Sequence, residues 1–352
     1  MDLQPSLEVS VIVPARNEET ALGECLRSLT TQAAGDREII VVDDHSTDRT
    51  RAIAADFAVR IIEAPPLPPG WTGKNNAVWA GARAAKGKWL LFTDADTRHA
   101  PNSIASGLDE AQRLNADLLS YSPRQEVRGF AERALMPVIF AELASTYPPR
   151  EVCNPASPVA AANGQYLLIR REAYDAVGGH AAVATNILED VELARRVKQA
   201  GYRLQFRVSD AVSTRMYRSF GAMWEGWTKN LALLFPRATA LAAERAWEFA
   251  VIAISLGLAV WCWLDRRPML ALLALLIAAV RYGAFLARIR RAHFDWLSDL
   301  LALFGLPLFA VLLIDSSIRH KRGSIRWKGR QYGRATPTAS SPGDHDLPDS
   351  QV

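Results

Sequence analysis

Two aspartates, Asp94 and Asp96, close the apolar run Trp89-Leu90-Leu91-Phe92-Thr93. Such a run reads as a buried strand. On an extended chain residues i and i+2 point to the same side, so the two carboxylates are expected to converge beyond the strand end. That end is where open α/β sheets bind ligands. Two hard oxygen donors there suit a divalent cation, Mn²⁺ or Mg²⁺, which would in turn hold phosphate oxygens. The structural alternative is an Asp-rich turn ahead of the helix that follows Pro101 and Asn102. A second acidic pair, Glu189-Asp190, opens an amphipathic stretch that runs to Gln199 and is stopped by Gly201. Its acids sit where the helix dipole favours negative charge, a sufficient structural reason for one of them. A carboxylate held ionised near an acceptor oxygen is also what a general base requires. Lys74 lies at the start of a helix predicted to open within Trp71-Thr72-Gly73-Lys74-Asn75-Asn76. A cation there is unfavourable without a partner, and a bound anion would supply one. Lys74 therefore reads either as a diphosphate or nucleotide contact or as a solvated surface lysine.

The elements that must position these groups alternate. Val9 to Pro14, Ile39 to Asp44 and Val59 to Ile62 read as strands. Helices are expected after the first, capped by Asn17 and striped by Leu22, Cys25, Leu26 and Leu29, and after the second, from about Arg49 to Phe57. A Pro-rich loop from Ala64 to Gly73 precedes the Lys74 helix, and Asn163 to Arg170 reads as a later strand. Short connections between alternating elements imply an α/β fold with a doubly wound parallel sheet. Asp44, just past the second strand, reads as an acceptor for the N3–H of a uracil ring or as a cap of its own turn. Phe130 to Ala144 is apolar but too short and too charged to span a bilayer. It is expected to lie in the interface or to pack on the sheet.

Composition narrows the function. The 352 residues carry a formal charge of +4, but residues 319–334 alone hold seven Lys or Arg, so the remainder is −3. The basic character is a local tail, and no nucleic-acid partner is expected. No GxGxxG or Walker loop follows the first strand, so neither a dinucleotide cofactor nor a P-loop nucleotide is expected. Three scattered cysteines, Cys25, Cys153 and Cys262, suit a reducing compartment. Met1 to Glu8 lacks a basic start and an apolar run, so no leader is expected.

The final third changes solvent. Residues 247–264, 269–287 and 296–314 are apolar runs of bilayer length. The expected organisation is a catalytic domain over 1–240, a membrane region over 241–318, a basic juxtamembrane segment over 319–334 and a disordered tail over 335–352. Charge bias places Arg288, Arg290 and Arg291 inside. The run 296–314 is then expected to be re-entrant or partly interfacial, broken at Gly305 and Pro307. Residues 215–230 interleave aromatic and basic side chains and suit a membrane surface or an acceptor groove.

Four motifs in this order, Val11 to Glu19, Val42-Asp43-Asp44-His45-Ser46-Thr47-Asp48, Thr93-Asp94-Ala95-Asp96 and Leu188-Glu189-Asp190, resemble the family 2 inverting glycosyltransferases of the GT-A fold. The Pro68-Pro69-Gly70-Trp71-Thr72-Gly73-Lys74 loop and the membrane segments resemble its lipid-modifying branch, associated with hopanoids and carotenoids. The resemblance implies nucleotide and donor contacts from Pro14, Ala15, Arg16, Glu18, Asp44, Lys74 and Asp94. It implies a metal on Asp94 and Asp96, with Asp96 the more direct ligand, and Asp190 as catalytic base. Glu189, Arg218, Trp224, Trp227, Lys229, Trp327 and Arg330 are candidates for the acceptor or diphosphate. Many membrane-bound relatives carry Gln-x-x-Arg-Trp after the base. Met223-Trp224-Glu225-Gly226-Trp227 matches it only at Trp227, which argues against a processive activity and leaves Arg218, Lys229 or the tail cations to supply the charge.

The function this implies is transfer of a single sugar from a nucleotide-sugar donor, read as UDP-linked, to a lipid hydroxyl at the cytoplasmic membrane. A polyprenyl-phosphate glycosyltransferase and a non-catalytic nucleotide-sugar-binding scaffold are the alternatives. The Glu189-Asp190 pair argues against the scaffold, since a pure binder has no use for a base.

Overall fold

The computed structural model describes residues 7–32, 35–327 and 330–332. In chain order the elements are β1 (Val9–Ala15), α1 (Leu22–Thr30), β2 (Arg37–Asp43), α2 (Thr50–Ala55), β3 (Arg60–Glu63), α3 (Gly73–Ala84), β4 (Trp89–Phe92) and β5 (Thr97–His99). There follow α4 (Ser103–Arg113), β6 (Leu118–Gln125), α5 (Gly129–Thr146), α6 (Pro149–Cys153), β7 (Leu167–Arg170), α7 (Arg171–Ala176), α8 (Glu189–Gln199) and β8 (Leu204–Thr214). A 3₁₀ turn, Gly179–Val183, lies between α7 and α8. The C-terminal part is α9 (Phe220–Leu234), α10 (Ala238–Leu264), α11 (Pro268–Ile289), α12 (Trp296–Arg322), β9 (Ile325–Trp327) and β10 (Arg330–Tyr332).

Strands β1 to β8 form one sheet in the order β3-β2-β1-β4-β7-β6-β8-β5. β1, β2, β3 and β4 run parallel, as their continuous apolar sequences require when both faces are covered. The sheet is mixed beyond that point, because β7 runs antiparallel to β4 and β6, and β5 antiparallel to β8. Apolar layers cover its two faces: Ile12, Ile40, Leu90 and Leu167 lie in one, and Val11, Val41, Leu91 and Leu168 in the other. The carboxyl ends of β1, β2 and β4 therefore open together on one edge, where the order reverses and no strand blocks a ligand.

Three expectations change here. Asn17 does not cap α1, which starts at Leu22 without a side-chain cap. Its backbone is left-handed (φ 52°) and its amide oxygen accepts from the Thr47 N–H at 2.9 Å. The sequence could not assign this, because the bond joins two loops thirty residues apart. Secondly, α5 does not stack on the sheet. It packs against α9 and α12, burying Leu135, Met136, Val138 and Ile139. Thirdly, α12 is one unbroken helix with Pro307 inside it. Gly305 serves close approach instead of a break: a Cβ there would lie 2.0 Å from the Ala134 carbonyl oxygen of α5.

Helices α10, α11 and α12 are each long and apolar enough to cross a membrane. Large apolar side chains along α10 and α11, among them Trp261, Leu264, Met269 and Leu276, are exposed. Small residues, Ala271, Ala274 and Ala278, are the buried positions of the distal half of α11.

Candidate active site

The loops after β1 and β2 are stitched to one another. The Glu18 N–H donates to Thr50 Oγ1 at 2.7 Å, the Glu19 N–H to Asp48 Oδ2 at 3.1 Å, and the Arg49 N–H to Glu19 Oε2 at 3.2 Å. This fixes the floor on which Asp44 stands. Asp44 is buried at the end of β2, and Arg16 Nη1 donates to its carbonyl at 2.8 Å.

Asp94 and Asp96 lie two and four residues past the end of β4, in a turn leading to β5, and not on the strand itself. Their convergence is set by that turn. Thr97 Oγ1 donates to the Asp94 carbonyl at 2.7 Å, and Thr214 Oγ1 of β8 to the Asp96 carbonyl at 3.2 Å. Both carboxylates line one cavity of about 390 Å³.

Lys74 does open its helix. Thr72 caps α3 by accepting from the Asn75 N–H at 3.1 Å. The ammonium lies 2.9 Å from Asp94 Oδ1 and 2.8 Å from Glu189 Oε1, so it bridges the turn after β4 to the start of α8. Burial opposes its charge, but Asp94, Glu189 and Asp190 outweigh that and hold it well above the usual lysine range. The bridging role was not legible in the chain, where Lys74 and Glu189 are 115 positions apart.

Asp190 faces the same cavity. Its Oδ2 accepts from the Gly164 N–H at 2.9 Å, and its Oδ1 from the Val191 N–H at 2.8 Å. Burial and then the adjacent Glu189 carboxylate push its pKa up to about 6, while Lys74 and the two N–H groups pull the other way. A carboxyl poised there is ionised at neutral pH yet basic enough to take a proton. Gly164 lies close to both groups: a Cβ there would crowd Lys74 Nζ at 3.1 Å and touch Asp190 Oδ2 at 3.6 Å. The strand expected from Asn163 begins only at Leu167, and Asn163 and Gly164 belong to the turn before it.

Pro14, Ala15, Arg16, Glu18, Asp44, Lys74, Asp94, Asp96, Glu189 and Asp190 all line the cavity. Of the candidates beyond them, Trp227 and Lys229 do so as well. Trp227 is buried, its indole N–H 3.3 Å from Met136 Sδ. Burial lowers the pKa of Lys229, the Glu189 carboxylate opposes that, and Lys74 adds to it. Arg218 and Trp224 lie elsewhere. Arg218 donates to the Thr20 carbonyl at 2.9 Å, and the Trp224 indole to Asp315 Oδ2 of α12 at 2.8 Å. The backbones of Trp327 and Arg330 pair in the β9–β10 hairpin, and their side chains are outside the described residues.

Gly226 stands where the family motif would place arginine, and a Cβ there would meet the Tyr217 ring at 2.4 Å. An arginine has no room. Lys229, three residues on and so on the same helix face, presents a cation to the cavity. Apolar side chains line the same cavity: Phe140 and Leu143 of α5, Tyr147 just past its end, Leu234 of α9 and Phe294 before α12. Sequence reading did not find this lining, because its residues belong to three separate segments.

A family model described as "Glycosyl transferase family 2" matches residues 10–178. That stretch of the chain is similar to the family's domain. The 4,4'-diaponeurosporenoate glycosyltransferase of Staphylococcus aureus strain MRSA252 is 27% identical to this chain over 337 residues, 92% of this chain and 88% of that protein. The protein of the same name from strain USA300 matches to the same extent, 27% over 337 residues. Among solved structures, the mannosyltransferase PcManGT from Pyrobaculum calidifontis, in complex with GDP-Man and Mn²⁺, superposes with a TM-score of 0.50 at 20% identity. The match covers 89% of this chain and 86% of that one, and it establishes a shared fold.

Among the described residues no group of three or more His, Cys, Asp or Glu could by itself hold a metal ion. The donor set fits a hard divalent cation that takes two ligands from Asp94 and Asp96 and the rest from a diphosphate and water.

Proposed function

We propose that this glycosyltransferase moves one sugar from a UDP-linked donor to an oxygen of a carotenoid-type lipid, with inversion at the anomeric carbon. One observation carries the reading: Lys74 ties Asp94 to Glu189, so a candidate metal ligand and the Glu189-Asp190 pair share one cavity that apolar side chains also line. A sugar donor with a charged diphosphate fits the charged groups and a long apolar acceptor the apolar ones. The likeness to the staphylococcal carotenoid enzymes over most of the chain supports the acceptor class.

In this scheme Asp44 accepts from the uracil ring and the stitched loops around Arg16 and Glu18 hold the nucleotide. Asp94 and Asp96 would hold a divalent ion, which when bound would offset negative charge on the diphosphate. Asp190 takes the proton from the acceptor hydroxyl as its oxygen bonds to the anomeric carbon and the bond to the diphosphate breaks. The Gly164 N–H fixes the orientation of the Asp190 carboxylate. Lys229 takes the part of the missing motif arginine beside the leaving group. Residues 1–240 form the catalytic domain and face the cytoplasm, where nucleotide sugars are made.

The test is nucleotide release by the detergent-solubilised chain with Mn²⁺, a panel of UDP- and GDP-sugars and a carotenoid-containing lipid extract. UDP release that depends on the lipid supports the reading. Binding of the nucleotide sugar with no release in any combination would reduce the protein to a scaffold. Release without added lipid at the same rate would remove the acceptor assignment.

A further inference from the structure

Helix α12 passes every length and hydropathy criterion for a membrane span, yet both of its ends are fastened to the catalytic side. At its start, Asp295 Oδ1 lies 2.9 Å from Arg133 Nη1 of α5. At its end, His320 Nε2 lies 2.8 Å from the Lys229 carbonyl oxygen of α9. Between them, Gly305 abuts the backbone of α5, and Ser316 donates to the Thr228 carbonyl at 2.6 Å and accepts from the Ala232 N–H at 2.9 Å. The two supporting helices belong to the catalytic fold. α5 runs from β6 into α6, and α9 follows β8, with Arg218 just before it bonded to Thr20 of the β1–α1 loop. A spanning helix would carry one of its ends about 30 Å away, across the hydrocarbon core.

The opposite face of α12 is apolar and exposed along its length: Trp296, Leu300, Phe304, Val311, Ile314 and Ile318. At 100° per residue these six fall within about 80° of arc, over a rise of about 33 Å. Buried residues such as Gly305, Phe309, Leu313 and Ser316 occupy the other side. Because α5 and α9 cover the rest of the helix, only this narrow stripe, with a tryptophan at one end and Arg319, Lys321 and Arg322 at the other, is left to meet the headgroup–acyl boundary.

The α10–α11 hairpin differs. It leaves the body at an ion cluster in which Arg288 lies 2.6 Å from Glu248 and 3.2 Å from Glu142, and Arg245 lies 2.7 Å from Glu248. Beyond it the hairpin exposes large apolar residues along both helices to its tip, where Leu264 is 75% and Met269 78% exposed.

We propose that α12 lies flat in the membrane interface, apolar stripe towards the acyl chains, and that only the α10–α11 hairpin enters the bilayer. The chain then enters and leaves on one side, and the β9–β10 hairpin, packed on α9, returns to the catalytic domain. Arg290 and Arg291 before α12 and the cations at its end share that side, as the positive-inside rule favours. This inference is independent of which sugar or lipid the enzyme uses.

Two measurements test it. Green fluorescent protein and alkaline phosphatase are fused in turn before Met1 and after Val352 of the full chain. The same reporter should be active at both termini, and opposite sidedness overturns the proposal. Spin labels at Leu300→Cys, Val311→Cys and Ile318→Cys, in a chain with Cys25, Cys153 and Cys262 changed to Ala, are then read for depth in phosphatidylcholine–phosphatidylglycerol vesicles. A flat helix gives one shared depth of about 5–10 Å. A crossing helix separates positions 300 and 318 by about 27 Å along the membrane normal, which would also overturn it. If the cysteine-free chain does not fold, the terminal fusions decide alone.

Discussion

Replacing Lys74 with Met should move the acid limb of the pH–rate profile upward. The ammonium and Asp190 Oδ2 lie 3.1 and 3.6 Å from one point, the position of a Cβ on Gly164. They are therefore at most about 7 Å apart, and at an effective dielectric of about 20 two unit charges at that distance interact by about 2.4 kcal/mol. The Lys74 side chain is 38% exposed, so solvent screening takes back a substantial share. Halving the figure leaves about 1.2 kcal/mol, or close to ~1 pKa unit. Lys74 lowers the Asp190 pKa, so its loss raises it, from about 6 towards ~7. A base works only when ionised, so activity is lost as pH falls through the limb. At pH 6 the ionised fraction drops from about one half to about one tenth. The profile of kcat/KM is the right assay, because it reports the groups of the free enzyme. Lys74→Arg keeps the cation and should hold the limb near its original position. A Lys74→Met variant that folds and keeps an acid limb at the wild-type pH would refute the reasoning, as would a limb shifted downward.

Asp190→Asn should bind the UDP-sugar normally in calorimetry and lose about 10²–10⁴ in transfer rate. Asp96→Asn should lose the stimulation of turnover by Mn²⁺ and bind UDP more weakly with the circular dichroism spectrum unchanged; wild-type turnover surviving EDTA would remove the metal role. Glu248→Gln leaves Arg288 with Glu142, and Arg245 with Glu142 and the exposed Glu244, and should cost about 3–5 kcal/mol in the unfolding of detergent-solubilised protein. Gly305→Ala pushes a methyl group into the Ala134 carbonyl and should destabilise by about 1–3 kcal/mol, with α12 becoming more open to proteolysis.

The sequence by itself specified the alternation of apolar strands and amphipathic helices, the acidic pairs at 94/96 and 189/190, and three long apolar segments. These are local signals, because hydrophobic period and helix-end chemistry depend on residues within a few positions of one another. Only the tertiary structure decided what those residues do together. It replaced the strand-borne convergence of Asp94 and Asp96 with a turn held by Thr97 and Thr214. It moved Asn17 from a cap to a cross-loop bond, and it turned Lys74 from a lone helix-end cation into the bridge between Asp94 and Glu189. It put Lys229 among the residues lining the cavity and Arg218 outside it, bonded to the Thr20 carbonyl. Hydropathy made α10, α11 and α12 look alike, since it records how apolar a helix is and not where its ends are fastened. Arg133 and the Lys229 carbonyl fasten α12 at both ends, and each partner lies more than eighty residues away along the chain. Contacts at that separation leave no mark on local composition, and they exist only once the chain has folded.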